Sequence, residues 1–189
     1  MRYQRLFLGV LPQPEIVKDL EAIQQAFSAA LEKSGVKSKA RAISPLNFHL
    51  TLHFIGPATS EGIERFRAGF RAMPPEAPVR QPLDRPVAFP SPTHCRVAGI
   101  GGEVSSGLEK LWKSTGLALH QSEIPLESRE YRPHVSLMRF NRPTRFPQIE
   151  VPALELSCDA FFLFESVSSG RGPKYEIIDE FTLAAPPGP

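Results

Sequence analysis

The sequence has little cysteine and little net charge, and each scarcity excludes a class of protein. Its 189 residues contain two cysteines, Cys95 and Cys158, with no CxxC spacing, which argues against a zinc site or a redox pair. We expect both to be small buried side chains in a reducing compartment. Lysine and arginine number 22 against 20 acidic residues, so the net charge is only +2. This balance argues against a protein that wraps long duplexes, but it allows a local basic pocket.

Long hydrophobic runs are also missing. No stretch approaches the ~20 apolar residues that span a bilayer. The apolar run at 6–11 is too short for the core of a signal peptide and is ended by Pro12. We therefore expect a cytoplasmic protein that does not bind membranes. A chain of 189 residues can bury a sizeable core without a disulfide or a metal ion.

Hydrophobic periodicity predicts alternating strands and helices. Helices are expected from 14 to the glycine at 35, from 59 or 60 to the prolines at 74 and 75, and over 108–119. Strands are expected at 5–11, 48–55, 83–89, 94–100, 131–140, 154–164 and 175–183. The middle of the chain, 73–92, is rich in proline, so its strand should lie at a sheet edge.

The order of these elements predicts an α+β protein built from two consecutive halves of similar content. We expect one bilobal domain over 1–189, in which two related α/β lobes carry antiparallel sheets that face a central cleft. The tail at 184–189 is rich in proline, and we expect it to be frayed.

A short repeat is the most informative feature of the sequence. The tetrapeptide HLTL at 49–52 returns as HVSL at 134–137, 85 residues later (134 minus 49), once in each half. Side chains alternate between the faces of a strand, so each histidine shares a face with the hydroxyl two residues on, while the aliphatic residues point the other way. The four polar residues are His49, Thr51, His134 and Ser136.

This residue pattern suits the opening of a cyclic phosphodiester. One imidazole can take a proton from water and the other can give one to the departing sugar oxygen. The hydroxyls can donate hydrogen bonds to phosphate oxygens, so no metal ion is required. A shared metal site on His49 and His53 is disfavoured, since i and i+4 positions on one face of a strand lie ~13 Å apart. The histidines at 53, 94 and 120 are expected to be surface or hydrogen-bonded groups.

Two longer segments carry a family resemblance. FHLTLHFIG at 48–56 and YRPHVSLMR at 131–139 resemble the two signatures of the 2H phosphoesterase superfamily. The nearest branch is that of the RNA 2',3'-cyclic phosphodiesterases, historically called 2'-5' RNA ligases. RLFLGV at 5–10, FES at 164–166 and GPKYE at 172–176 agree in order, although Ser136 stands where threonine is commoner.

The resemblance implies metal-independent hydrolysis of a 2',3'-cyclic phosphate to a 2'-phosphate in a water-filled cleft between two lobes. It makes His49 the general acid for O3' and His134 the general base. It implies no cofactor, and as partners either RNA ends or small cyclic nucleotides, bound by a monomer. The residues implied to hold substrate are Thr51 and Ser136 at the phosphate, Phe54 at the terminal base and Arg139 at the nucleotide.

Two alternatives stay open. Strict alternation puts Phe54 and Arg139 on the face opposite the histidines, as a core aromatic and a surface arginine, unless a bulge re-aims them. The site could also join 2'-5' linkages or open other cyclic nucleotides. A third hypothesis is a non-catalytic module that only binds RNA ends.

Overall fold

The computed structural model describes residues 2–36, 38–73, 76–126, 130–169 and 172–183. The predicted frayed tail at 184–189 lies outside the described residues, as do the prolines at 74 and 75 that were expected to end the second helix.

In the residues that the structure describes, the fold consists of ten strands and three α-helices. The helices are α1 (Pro14–Lys33), α2 (Ser60–Arg71) and α3 (Ser106–Gln121). The strands are β1 (Arg2–Val10), β2 (Ala40–Ala42), β3 (Leu50–Thr59), β4 (Val79–Leu83), β5 (Arg85–Phe89), β6 (Cys95–Gly101), β7 (His134–Thr144), β8 (Leu154–Cys158), β9 (Ala160–Ser169) and β10 (Gly172–Thr182). Among the described residues no helix is long and apolar enough to cross a membrane.

Eight strands form one antiparallel sheet, which confirms the predicted α+β class. The hydrogen-bonded order is β10-β9-β1-β3-β7-β6-β5, and β2 pairs with β7 beside this path. The strands β4 and β8 form a separate two-stranded sheet. Helix α1 contacts β7 and β8, whereas α2 and α3 contact each other and β3.

The large sheet consists of two strand groups. The first strand group is β10, β9, β1 and β3, and the second is β7, β6, β5 and β2. In the described part of the chain, the ladder between them is the single pair of Leu50 on β3 with Val135 on β7. Each strand group carries one of the two motifs. The arrangement of the groups as facing lobes remains a prediction.

The first strand group is not built from the first half of the chain alone. Strands β9 and β10 come late in the sequence, yet β9 pairs with β1 over Leu6–Gly9 and completes the first strand group. The free edge of β1 explains this pairing, because an unpaired edge leaves a row of backbone hydrogen-bonding groups exposed.

The helices begin and bury their residues as their sequences predict. In α1, Pro14 occupies the first turn and the apolar stripe Leu20, Ile23, Phe27 and Leu31 is buried. The side chain of Thr59 caps α2, and its Oγ1 accepts a hydrogen bond from the backbone N–H of Gly62 at 3.1 Å.

Two predicted strands are each divided in the structure. The segment 83–89 is split at Asp84 into β4 and β5, and 154–164 is split at Asp159 into β8 and β9. In both cases the chain leaves the β4–β8 sheet and enters the large one, and a single straight strand cannot belong to both sheets. As expected for a strand that contains Pro86, β5 lies at an edge.

The core lies on the face of the sheet that the helices cover. Leu8, Leu50, Ile100 and Val135 from four neighbouring strands are fully buried there. Each such side chain stabilises the fold by roughly 1.5–3 kcal/mol relative to exposure. Cys95 and Cys158 are buried and unpaired, as predicted. The opposite face of the same strands is left for polar groups.

Candidate active site

The pair that joins the two strand groups lies at the centre of both motifs. Leu50 follows His49 in the first motif, and Val135 follows His134 in the second. Directly opposed residues of an antiparallel pair project from the same face. If this register is continued by one residue in each direction, His49 is expected across from Ser136 and His134 across from Thr51.

The two imidazoles are oriented by the same kind of contact. Nδ1 of His49 lies 2.7 Å from the carbonyl oxygen of Asn47, and Nδ1 of His134 lies 2.8 Å from that of Arg132. A carbonyl can only accept, so each Nδ1 carries a hydrogen. In the neutral form each Nε2 therefore has a free lone pair, and in the charged form it has a proton to donate.

Burial favours the neutral form of both histidines. The pKa of His49 is lowered from 6.5 to about 4, chiefly by burial and in addition by the charges of His134 and Arg139, against the opposing effect of the Asn47 carbonyl. Burial likewise lowers the pKa of His134, and the charges of Arg132 and Arg139 add to the decrease. The dependence of the His49 pKa on His134 is the expected sign of two nearby cations.

A bulge in β3 changes the direction of the side chains after the first motif. Thr51 pairs with Gly9 and His53 with Leu8, so Leu52 is the extra residue on β3. Leu52 and His53 are consecutive and both buried, after which Phe54 returns to the face of Thr51.

A bulge occurs at the same place in the second motif. Ser136 pairs with Gly99 and Met138 with Ala98, so Leu137 is the extra residue on β7. Leu137 and Met138 are both buried, and Arg139 returns to the face of Ser136. The carbonyl of Leu137 accepts hydrogen bonds from Nε2 of Gln24 at 2.7 Å and from the backbone N–H of Ile43 at 2.9 Å.

These bulges decide the open question about Phe54 and Arg139. Both side chains lie on the histidine face rather than the opposite one, and Phe54 is 52% exposed. The charge of Arg139 lowers the pKa of both His49 and His134, which locates it beside the pair. The placement of His53 on the face of His49 is wrong, because the bulge turns it into the core.

His53 is a hydrogen-bonded core residue, in agreement with the expectation that it is a surface or hydrogen-bonded group. Its Nε2 lies 2.9 Å from the carbonyl of Trp112 and 3.1 Å from Oγ1 of Thr115, both on α3. Trp112 stacks on His53 and also on Tyr131, with ring centroids 5.6 and 5.1 Å apart. The hydroxyl of Tyr131 donates to the carbonyl of Thr51 at 3.2 Å, so this stack connects the two motifs from behind.

Aromatic rings that the sequence analysis did not assign to the site surround His49. Phe7 on β1 and Tyr175 on β10 lie with their ring centroids 4.9 and 5.0 Å from the imidazole. Phe7 also contacts Phe54 at 6.4 Å. Phe7 and Tyr175 both fall in segments that carry the family resemblance, and this resemblance is the sequence signal that could have identified them.

His134 packs against a different aromatic residue. The ring centroid of Phe89 on β5 lies 4.5 Å from the imidazole, and the guanidinium of Arg132 lies over the Phe89 ring at 4.9 Å. Phe89 belongs to the proline-rich middle, where no motif marks it. The two histidines thus share an anchoring contact but have different neighbours.

Glycines let the flanking strands approach the motifs. A Cβ on Gly9 would lie 3.0 Å from the carbonyl oxygen of Leu50 and 3.6 Å from Cδ2 of His49. A Cβ on Gly99 would lie 2.0 Å from the carbonyl oxygen of Val135. Both positions therefore require glycine for close backbone approach.

Metal-ligating side chains do not cluster in the part of the chain that the structure describes. No group of three or more histidine, cysteine, aspartate or glutamate residues there could hold an ion. The groups that the two motifs bring together are imidazoles, hydroxyls and the guanidinium of Arg139. This set can exchange protons with, and donate hydrogen bonds to, one tetrahedral anion.

Sequence comparison finds four curated relatives named RNA 2',3'-cyclic phosphodiesterase, at 26–29% identity. The Bacillus subtilis protein is 26% identical over 183 residues, which cover 94% of this chain and 96% of the relative. The Thermus thermophilus protein is 29% identical over 153 residues, covering 75% and 74%. No protein family model matches the chain.

Solved structures agree in fold. The crystal structure of TT0787 from Thermus thermophilus has a TM-score of 0.76 at 26% identity and covers 96% of this chain and 98% of its own. Escherichia coli LigT, at 20% identity, has a TM-score of 0.79 over 97% and 99% of the two chains and supports the fold alone. The chain is thus similar over most of its length to curated RNA 2',3'-cyclic phosphodiesterases, and these relatives support the predicted 2H phosphoesterase assignment.

Proposed function

We propose that this protein hydrolyses 2',3'-cyclic phosphate at RNA ends to a 2'-phosphomonoester by acid–base catalysis with two histidines. The observation that carries the proposal is the pair of Leu50 with Val135, which joins the two motifs by the residues that directly follow His49 and His134. The names of the curated relatives support the same reaction.

The reaction needs two proton transfers at opposite sides of phosphorus. Nε2 of neutral His134 removes a proton from water as the water oxygen forms a bond to phosphorus. The P–O3' bond breaks, and Nε2–H of protonated His49 gives its proton to O3'. The product carries its phosphate on O2', and proton transfer in solution restores the two histidines. Acid and base are each worth on the order of 10²–10⁴ in rate.

Charge builds on the non-bridging oxygens as water attacks. The hydroxyls of Thr51 and Ser136 are suited to donate hydrogen bonds to these oxygens, and Arg139 supplies a positive charge. Phe54, exposed on the same face, offers a ring for the terminal base.

The proposed acid must be protonated, although its surroundings favour the neutral form. A phosphate anion between the imidazoles opposes the effects of burial and of Arg139, and so raises the pKa of both histidines. We therefore infer that substrate binding supplies the charge state that catalysis needs. His49 donates only when the anion that requires the proton is bound.

The proposal needs no metal ion or organic cofactor, because every proton donor, acceptor and hydrogen-bond donor in it is a side chain. We further propose that the protein acts as a monomer in the cytoplasm, where RNA ends are available.

The test is turnover of a dinucleotide that ends in 2',3'-cyclic phosphate, in the presence of EDTA, with the product followed by phosphorus NMR. We expect a 2'-phosphate from the wild type and from His94→Ala, whose side chain is exposed and belongs to neither motif. His49→Ala and His134→Ala should be nearly inactive. A 3'-phosphate would contradict the assignment of the acid. Activity that EDTA abolishes and zinc or manganese restores would contradict the metal-independent mechanism, and tight binding without turnover would identify a binding module.

A further inference from the structure

Two arginines face each other beside the proposed active site. Arg41 on β2 is paired directly with Arg139 on β7. Opposed residues of an antiparallel ladder project from the same face. Because Arg139 lies on the histidine face, Arg41 projects from that face as well. Arg41 is not part of either motif.

The side chain of Arg41 crosses toward the first strand group. Its Nη1 lies 2.7 Å from the position that a Cβ on Gly172, the first residue of β10, would occupy. The neighbouring Pro173 is held to the segment before β3, since Nδ2 of Asn47 donates to its carbonyl oxygen at 2.9 Å. The guanidinium of Arg41 therefore lies between the two strand groups, at the margin of the site.

This arrangement places like charges side by side without compensation. In the ranges that the structure describes, neither Arg41 nor Arg139 forms an ion pair with a carboxylate, whereas Arg67, Arg80 and Arg85 do. Like charges directly opposite one another destabilise a sheet. Two adjacent guanidiniums are instead suited to a phosphate, which accepts paired hydrogen bonds from each planar fork.

The position of Arg41 separates it from the scissile phosphate. Arg139 follows His134 by five residues, one of which is bulged, so the Arg41–Arg139 pair lies roughly 13 Å along β7 from His134. Arg139 can reach back to the histidines, as its effect on their pKa values indicates. The Arg41 side chain extends instead across to Gly172 on β10.

We propose that Arg41 binds the 5'-phosphate of the terminal nucleotide, the group that links it to the preceding residue of an RNA strand. This inference rests on the proposed function and deepens it, because it names a residue that contacts the RNA strand beyond the terminal nucleoside. Arg139 then lies between the scissile phosphate and the next phosphate along the strand, and Arg41 contacts only the latter.

Two substrates that differ by one phosphate test the assignment: adenosine 2',3'-cyclic phosphate with and without a 5'-phosphate. The wild type should prefer the 5'-phosphorylated substrate in kcat/KM by roughly 10–100-fold, as expected for hydrogen bonds to a charged group. Arg41→Ala should remove this preference and leave kcat/KM for the unphosphorylated substrate within about 2-fold of wild type. Arg41→Lys should retain part of it, because lysine keeps the charge but not the fork.

Arg142→Ala is the matched control. Arg142 is exposed on the same strand, three residues beyond Arg139 and outside the residues that β2 pairs with. This variant should keep the full preference. A wild type without preference would overturn the proposal, as would an Arg41→Ala variant that keeps the preference or that loses activity equally on both substrates.

Calorimetry tests the Arg41 assignment independently of the proposed function. It measures the affinities of the wild type for adenosine 3',5'-bisphosphate and for adenosine 3'-phosphate. If the wild type turns over neither cyclic substrate, the proposed function fails. The Arg41 assignment still stands if the bisphosphate binds at least about 10-fold more tightly and Arg41→Ala removes the difference. Equal binding of the two nucleotides by the wild type would overturn it.

Discussion

The imidazoles of His49 and His134 are held by the carbonyls of residues two positions earlier in the chain. This contact fixes the tautomer and aims Nε2 outward, and the short spacing makes it a property of each motif itself. The rings beyond the motif differ, with Phe7 and Tyr175 at one histidine and Phe89 at the other. Position is therefore set locally, while the electrostatic surroundings are set by distant parts of the chain.

Substitution of the motif residues should separate proton transfer from phosphate binding. His49→Ala and His134→Ala should each lower kcat on the order of 10²–10⁴-fold with the fold intact. Thr51→Ala and Ser136→Ala should cost roughly 10–10³-fold, as for loss of one donor to a charged oxygen. Steady-state kinetics and circular dichroism check both statements. His120→Ala, exposed on α3, is the control, and a fully active double-histidine variant would contradict the mechanism.

The pH dependence should differ between kcat/KM and kcat. In the free enzyme burial lowers both histidine pKa values, that of His49 to about 4, so the form with one proton is most abundant below about pH 6.5. We expect a bell-shaped pH profile of kcat/KM with its maximum below that pH. The value of kcat should stay high at higher pH, because bound phosphate raises the pKa of both histidines. The apparent pKa values belong to the coupled pair.

The Arg139→Gln variant tests the cause of this pH dependence. The charge of Arg139 lowers the pKa of both histidines, so its removal should move the alkaline limb of kcat/KM to higher pH even as the rate falls. If the pH profiles of kcat/KM and kcat coincide, with a maximum above pH 7.5, the bound phosphate does not raise the histidine pKa values as proposed.

Among the elements, the bulged strands β3 and β7 do what regular strands could not. Each places two consecutive residues in the core and returns the next one to the histidine face. The bulge in β7 depends on Gly99, because an added Cβ would lie 2.0 Å from the carbonyl oxygen of Val135 and 3.0 Å from Cα of Ser136. Backbone atoms cannot move aside as the end of a flexible side chain can.

Gly99→Ala should therefore destabilise the protein by at least about 2 kcal/mol and weaken catalysis through Arg139. Gly69→Ala is the matched control, since that glycine lies in α2 with no atom within 4 Å of the added Cβ. It should stabilise the protein by up to about 1 kcal/mol. Urea denaturation with kinetics on the same samples tests both variants, and equal stabilities would remove the argument for a glycine-dependent bulge.

The sequence was sufficient for the elements whose periodicity is local. The stripe of α1 and the cap of α2 are confirmed, as is the alternation across 49–52. Alternation failed one residue later, because the bulges depend on strands far away in the chain: Gly9 with Leu8 at one, Gly99 with Ala98 at the other. No local pattern distinguishes an extra residue from a regular one.

The same reasoning explains the site residues that the sequence analysis did not find. Phe89 and Arg41 lie on β5 and β2, a proline-containing edge strand and a strand of three residues. Short edge strands have too few residues for a periodic signal. Their place beside the site comes from pairing with β6 and β7, which is a long-range property.

For the whole molecule, burial of three histidines in neutral form makes stability depend on pH. The folded-state pKa of His49, His53 and His134 is lowered, so between about pH 6.5 and 4 the unfolded chain binds more protons than the folded one. Stability should be fully present above about pH 6.5 and decrease as the pH falls toward 4. His49 alone contributes up to about 3 kcal/mol to this decrease.

Urea denaturation of wild type and His49→Gln between pH 7 and 4.5 measures the effect. The variant should lose less stability over this range, because glutamine does not titrate. The carboxylates contribute equally to both proteins, so their contribution cancels in the difference between the two free energies of unfolding. His120→Gln, exposed on α3, should behave as wild type does. Parallel curves for wild type and His49→Gln would refute the contribution of His49.

The single pair that joins the strand groups has a consequence for the direction of the reaction. An antiparallel pair has a local two-fold, and if that symmetry extends over the two motifs it exchanges the histidines and the hydroxyls, so that the proposed catalytic groups alone would not distinguish O2' from O3'. A nucleotide bound the other way round would meet an equivalent acid and base, and would leave with its phosphate on O3'. Under the proposed mechanism, regioselectivity then comes from residues that break the symmetry, above all Phe54, whose counterpart in the second motif is Arg139 rather than a second aromatic ring. The proposal thus ties the identity of the product to how the base is held, and not to the pair of histidines.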